Sequence, residues 1–133
     1  MADFEMKFPQ EFLHMLSQNL QAVDEYAPRM LEAGADIVQS AVKSAMPSEI
    51  SKYASSVTHR DAKKASNGGW VLPITFDGLT EHTHIPIMTL AAYYDYGTRN
   101  GIKKTAWMRN AIAVASGRAA EAMTKVFEEE TSK

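Results

Sequence analysis

Apolar residues recur every three to four positions in several stretches of the chain, and this spacing predicts amphipathic helices. Between Pro9 and Leu20, Phe12, Leu13, Leu16 and Leu20 mark a short N-terminal helix, the core of an arm over residues 1–22. A second helix is expected to open at Pro28, since a first-turn proline lacks only an N–H that would have no helical partner. Leu31, Gly34, Ala35, Val38, Val42 and Ala45 then form one stripe, narrow enough for close packing, and Pro47 ends it. The last helix is expected to be capped by Thr105 and to carry Met108, Ala111, Ile112, Ala115, Ala119, Ala122, Met123 and Val126 on one face. Residues 128–133 read as a frayed, charged tail.

The texture changes between the long helices. Ile50 to His59 is serine-rich, with Tyr53 and Val57, and reads as a strand of modest hydrophobicity. Trp70 to Phe76 is the strongest strand segment and stops at the turn pair Asp77-Gly78. Together they predict a long hairpin with its tip at Arg60 to Gly69, around the turn residues Asn67-Gly68-Gly69. Ile85 to Tyr96 has the tyrosine and β-branched content of a strand. The frame of Pro86 and Gly97 favours a helix instead, with Ile87, Leu90, Ala91 and Tyr94 on one face. The order predicts a single α+β domain over residues 1–133, with helices covering one face of a small antiparallel sheet.

Composition narrows the chemistry. A chain of 133 residues with 45% hydrophobic and 23% charged residues has the make-up of one globular domain. The formal net charge of -2 gives no general attraction to nucleic acid or to anionic membrane, although it leaves room for a local basic patch. The absence of cysteine excludes disulfides, cysteine-ligated zinc and thiol catalysis. Met1 to Pro9 carries Asp3 and Glu5 without a long apolar run, which is unlike a signal peptide, and no stretch reaches the length of a membrane span. A cytosol-like compartment is expected.

Candidate sites are few. His82 and His84 would share a face on a strand, as two metal ligands could, with Glu81 or Asp77 nearby, but no further ligands are marked. Ser48, Ser51, Ser55 and Ser56 lie in no strained nucleophile turn, and Asn67-Gly68-Gly69 lacks the lysine and helix start of a phosphate loop. Neither a catalytic residue nor a cofactor is expected. Arg60, Lys63 and Lys64 form a basic cluster at the expected hairpin tip, where a solvated surface is the simpler reading. Tyr93, Tyr94, Tyr96 and Trp107 crowd around Gly97-Thr98-Arg99-Asn100-Gly101, a composition suited to protein–protein contact, with part of the group expected in the core. On a helix, Tyr93 and Tyr96 would share one side and Tyr94 would face another.

Four motifs, in order, resemble the tail-completion (neck) proteins of long-tailed phages. They are Pro47 followed by Ser56-Val57; Gly69-Trp70-Val71 with Phe76-Asp77-Gly78; Ala91-Ala92-Tyr93-Tyr94-Asp95-Tyr96-Gly97-Thr98; and Trp107-Met108-Arg109-Asn110-Ala111-Ile112. The third is close to the family's Ala-x-x-x-Glu-Tyr-Gly-Thr, and the fourth resembles its Phe-Leu-Arg-Pro-Ala-Leu. Ile50-Ser51 departs from a Thr-Gly pair, and Ala106 and Asn110 stand where the family has prolines. The resemblance, spanning about Pro28 to Glu130, implies a non-enzymatic virion assembly protein of a phage or prophage that completes the tail and joins it to the head. It implies a minor tail component that is a monomer in solution and closes into a hexameric ring at the head-proximal end of the tail tube. The implied partners are its own copies, the tail-tube or tail-terminator protein and the head-completion or connector protein, with incidental contact to packaged DNA and none to membrane. The implied location is the host cytoplasm during assembly and then the virion. Tyr94, Tyr96, Gly97, Thr98 and Arg99, together with Arg60, Lys63 and Lys64, are the expected contact residues. Alternatives are another neck component, a connector or stopper of similar fold, and a metal-binding protein using His82 and His84.

Overall fold

A computed structural model describes residues 20–66, 69–99 and 101–132, together with Gln10 and His14. The helix expected over Pro9–Leu20 lies almost wholly outside the described residues, as does the Asn67-Gly68 turn. The architecture is α+β: helix α1 (Leu20–Ala45), a 3-10 helix (Ser51–Ser56), strands β1 (Val57–His59), β2 (Lys63–Lys64), β3 (Trp70–Val71) and β4 (Ile74–Phe76), then helices α2 (Ile87–Tyr96) and α3 (Trp107–Thr131).

The two long helices form the frame. They run antiparallel, because Arg29 near the start of α1 pairs with Glu130 near the end of α3 at 2.7 Å, while Gly34 lies against Met123 and Ala119. Their small-residue stripes meet: Ala35, Val38 and Val42 of α1 and Ala115 and Ala119 of α3 are all buried. At Gly34 a Cβ would sit 2.8 Å from the Met123 sulfur, so absence of a side chain sets the closeness of approach there. Two expectations for these helices need correction. Pro28 lies inside α1, not at its start. An interior proline costs about 3 kcal/mol; Ala27 and Met30 around it are buried, and Met30 packs with Ala120, Met123 and Phe127 of α3, so tertiary burial holds the helix through it. The C-terminal tail is also helical to Thr131, whose hydroxyl donates to the Phe127 carbonyl at 2.8 Å, and Glu130 is tied to Arg29.

The hairpin forms in two parts. β1 pairs with β4 antiparallel, matching Val57 with Phe76 and His59 with Ile74, and β2 pairs with β3, matching Lys63 with Val71. Between these ladders three residues, Arg60 to Ala62, oppose two, Leu72 and Pro73, so one strand carries an extra residue. Pro73 has no N–H for the ladder, but its carbonyl accepts from the Arg60 amide at 2.9 Å. Alternation then sorts the faces. Val57, Ile74 and Phe76 are buried, whereas Thr58 and Thr75 face outward and approach each other at 3.4 Å. The strand expected over Ile50–His59 shrinks to its last three residues. Ile50, Ala54 and Val57 are spaced by four and three, a helical period, and the serines between them lack the branched side chains that favour a strand.

α2 forms as expected, with Pro86 at its N-cap and Gly97 at its C-cap, and it buries Ile87, Ala91, Ala92 and Asp95. Among the described residues no helix is long and apolar enough to cross a membrane.

The Gly34 contact gives a graded expectation. Gly34→Ala should be close to neutral, since the flexible Met123 end can move and alanine favours the helix by about 1 kcal/mol. Gly34→Val should cost about 1–3 kcal/mol by overpacking. Urea unfolding of the two variants beside the parent measures the difference.

Candidate functional site

The segment from α2 to α3 is built around one carboxylate. Asp95, the second-last residue of α2, is 2% exposed. An acidic side chain is ill-matched to the negative end of its own helix dipole. It serves another helix instead: its Oδ1 accepts from the backbone N–H of Met108 at 3.0 Å and of Arg109 at 3.3 Å, in the first turn of α3. Its Oδ2 accepts from Arg109 Nε at 3.1 Å. The Asp95 carbonyl accepts from the Ala106 amide at 2.9 Å and from Arg109 Nη2 at 3.4 Å. The carboxylate thus satisfies two first-turn donors that the helix itself cannot, and places negative charge at the positive end of the α3 dipole.

This replaces the cap expected from Thr105. The Thr105 hydroxyl donates to the Tyr94 carbonyl at 2.6 Å and is only a distant acceptor, at 3.4 Å, for the Trp107 amide. The N-cap position itself is Ala106, with φ +55°, a left-handed conformation unusual for a residue with a Cβ. The hydrogen bond from its backbone N–H to the Asp95 carbonyl holds it there.

The loop between the helices is pinned at both ends. Gly97 has φ +82°, and a Cβ there would lie 2.8 Å from the Lys104 backbone nitrogen, so only glycine fits. The Thr98 amide donates to the Ile102 carbonyl at 2.8 Å, and the Ile102 amide donates back to the Thr98 hydroxyl at 2.9 Å. Trp107 is buried, its indole N–H donating to the Ala91 carbonyl at 3.2 Å and its ring meeting Phe76 edge-on at 6.3 Å.

The expected contact residues therefore divide. Tyr96 and Tyr93 are 58% and 42% exposed, and the Arg109 guanidinium lies 4.8 Å from the centre of the Tyr96 ring. Arg99, Lys103 and Lys104 are exposed on the same loop. Tyr94 packs against the core, while Gly97 and Thr98 are occupied in holding the loop.

The second expected patch is held apart from this one. Arg60 pairs with Asp77 at 3.0 Å, at the base of the hairpin beside the Thr58 and Thr75 hydroxyls, and Lys63 is exposed. Lys64 reaches Asp24 of α1 at 3.3 Å and lies over the Trp70 ring, and the Trp70 indole donates to Asp24 at 2.9 Å. The tip is docked on α1 instead of standing free. Two further bonds tether the hairpin to that helix: Gln39 Nε2 to the Val57 carbonyl at 3.1 Å and His59 Nε2 to Asp36 at 3.1 Å.

His82 and His84 are exposed in the turn after Gly78, with His84 at φ +52°. Among the described residues no three His, Cys, Asp or Glu side chains are grouped so as to hold a metal ion.

The Asp95 cap was missed in the sequence because its targets lie 13 and 14 residues onward. The signal that could have found it is an acid at the end of an apolar helix, where the dipole disfavours it, followed by an arginine in the next helix's first turn.

Two outcomes follow from these contacts. Asp95→Ala should lower stability by about 2–3 kcal/mol through the lost cap and charge-assisted bonds, and Asp95→Asn by less, both read from urea unfolding. Hydrogen bonds from Trp70, and then from Lys64, hold the Asp24 carboxyl below its ordinary value of 3.8. Its contribution to docking the hairpin tip is present above that value and lost as pH falls through the lowered one. The Trp70 indole N–H resonance should shift over that acid range and become pH-insensitive in Asp24→Asn. No protein-family model matches this chain, and neither curated proteins nor solved structures offer a significant match.

Proposed function

We propose that the chain is a non-enzymatic assembly protein of a long-tailed phage or prophage, completing the tail and joining it to the head. The observation that carries this reading is the coupling of the two most family-like segments. Asp95 of the Asp-Tyr-Gly-Thr motif is bonded to Met108 and Arg109 of the Trp-Met-Arg motif, so residues alike in sequence form one structural unit. That unit leaves Tyr96 exposed at the end of α2 and Arg99 exposed on the loop fixed by Gly97. Aromatic rings and guanidinium groups on a preorganised loop give contact area at low entropic cost, as an assembly interface requires.

In this reading the protein is a monomer in the host cytoplasm that closes into a ring at the head-proximal end of the tail tube. It contacts the tail-tube or terminator protein on one side and the head-completion or connector protein on the other. Deleting the gene from its phage or prophage should leave DNA-filled heads and tails unjoined or unfinished in electron micrographs, with joining restored by the chain supplied in trans. Complete particles with heads firmly joined to normal tails would overturn the assignment.

A further inference from the structure

The two halves of the hairpin are held by different means. The base ladder, β1 with β4, buries Val57, Ile74 and Phe76 and is part of the core. The tip ladder, β2 with β3, has no buried residue: Lys63, Lys64 and Val71 are exposed and Trp70 is half-buried. Among the described residues, neither core cluster includes a side chain from β2 or β3, whereas Leu72, the next residue along, packs against the core. Anchored chain therefore gives way to unanchored chain between Leu72 and Val71. On the opposite strand the change falls within Arg60 to Ala62, where the extra residue interrupts the pairing.

The base ends with the bond from the Arg60 amide to the Pro73 carbonyl. The tip resumes with Lys63 opposite Val71 and closes with the Ala65 amide on the Gly69 carbonyl at 2.7 Å. Among the described residues, Asp61, Ala62 and Leu72 lie outside both ladders and make no backbone hydrogen bond across the hairpin. Each ladder is thus complete in itself, and a few residues at such a joint can absorb the change in φ and ψ of a hinge.

Lys64 and Trp70 lie directly opposite each other, so their side chains share one face of the tip. Both converge on one carboxylate of α1. Trp70 Nε1 donates to Asp24 Oδ1 at 2.9 Å and Lys64 Nζ to Oδ2 at 3.3 Å, with the ammonium 5.9 Å from the centre of the indole ring. The Lys64 and Asp24 side chains are 51% and 54% exposed, so water competes for this pair and the contact is weak.

We propose that β2 and β3 together form a hinged arm that opens from α1 as one unit while the base stays closed, with the Asp24 carboxylate as its latch. Opening breaks a solvent-exposed ion pair and an indole hydrogen bond, uncovers no core and leaves both ladders intact. It therefore needs far less free energy than unfolding. The closed arm presents Lys63 and Val71 to solvent. The open arm presents Lys64 and the indole ring as well, and frees Asp24 on α1. Nothing in this hinge depends on the assembly role.

The test is NMR spectroscopy of the full chain with the latch weakened in steps. The series comprises the parent at about 50 mM and about 500 mM salt, then Lys64→Gln, Asp24→Asn and Asp24→Ala. The Lys63, Ala65 and Val71 amide resonances should each move along a straight line from closed to open, and in the same proportion across the series. Exchange of the Trp70 indole proton should rise at least roughly tenfold in Asp24→Ala. The Thr58, Thr75 and Phe76 amides and the Trp107 indole should stay in place. Arm resonances that do not move in Asp24→Ala would overturn the proposal, since docking would then rest on something other than the latch. Shifts that scatter off a common line, or that carry the base with them, would overturn it as well, because the joint would then be no two-state hinge. Should Asp24→Ala unfold, Lys64→Gln opens the latch from the side of the arm, and the same outcomes are read from it.

Discussion

The bond from Asp95 to the first turn of α3 is the constraint on which the remaining geometry of the C-terminal half depends. A carboxylate this deeply buried needs partners for its oxygens, and here all of them come from the next helix. Once those bonds are made, the end of α2 and the start of α3 cannot move independently. The ten residues between them, 97–106, must leave one helix and return to the other over a short distance. Gly97 allows this by taking a positive φ with the Lys104 backbone against it, and Ala106 accepts a left-handed conformation at the other end.

That rigidity is what makes the outer surface of the loop usable. Arg109 is shared between the buried Asp95 carboxylate and the exposed Tyr96 ring, so the core constraint reaches a surface aromatic through one side chain. The hairpin is fixed by different means. Its apolar face rests on the helices, but polar side chains of α1 (Asp24, Asp36 and Gln39) hold it along its length. A frame of two close-packed helices thus carries one unit bonded through its core and another tethered by surface polar contacts.

Much of the architecture was legible in the periodicity. The α1 and α3 stripes contain small residues at the positions that meet, and Gly34 was readable as a point of close approach because a glycine inside an apolar helical stripe has few other uses. The Pro86–Gly97 frame correctly outweighed the strand-like residues of α2. Reading failed where a local rule met a tertiary override. Pro28 looked like a helix start but is carried within α1 by the packing of Met30 and Ala27. Ile50 to Ser56 looked like a strand from Tyr53 and its neighbours, although its apolar spacing was helical. Thr105 was the obvious local cap, and the actual one came from a different helix. For the candidate site, the contrast of exposed Tyr93 and Tyr96 with core-packed Tyr94 followed from helical geometry, whereas the burial of Trp107 was not marked. The engagement of Lys64 and Trp70 by Asp24, 40 and 46 residues away, had no sequence signal.

Native-state hydrogen exchange at the Met108 and Arg109 amides examines the central constraint most directly. First-turn amides normally lack intrahelical partners and exchange readily. With Asp95 as their acceptor they should instead be protected to a degree close to the buried middle of α3, and Asp95→Ala should release both. Rapid exchange of these amides in the parent chain, at the rate of a frayed helix start, would contradict the capping and with it the coupling of α2 to α3.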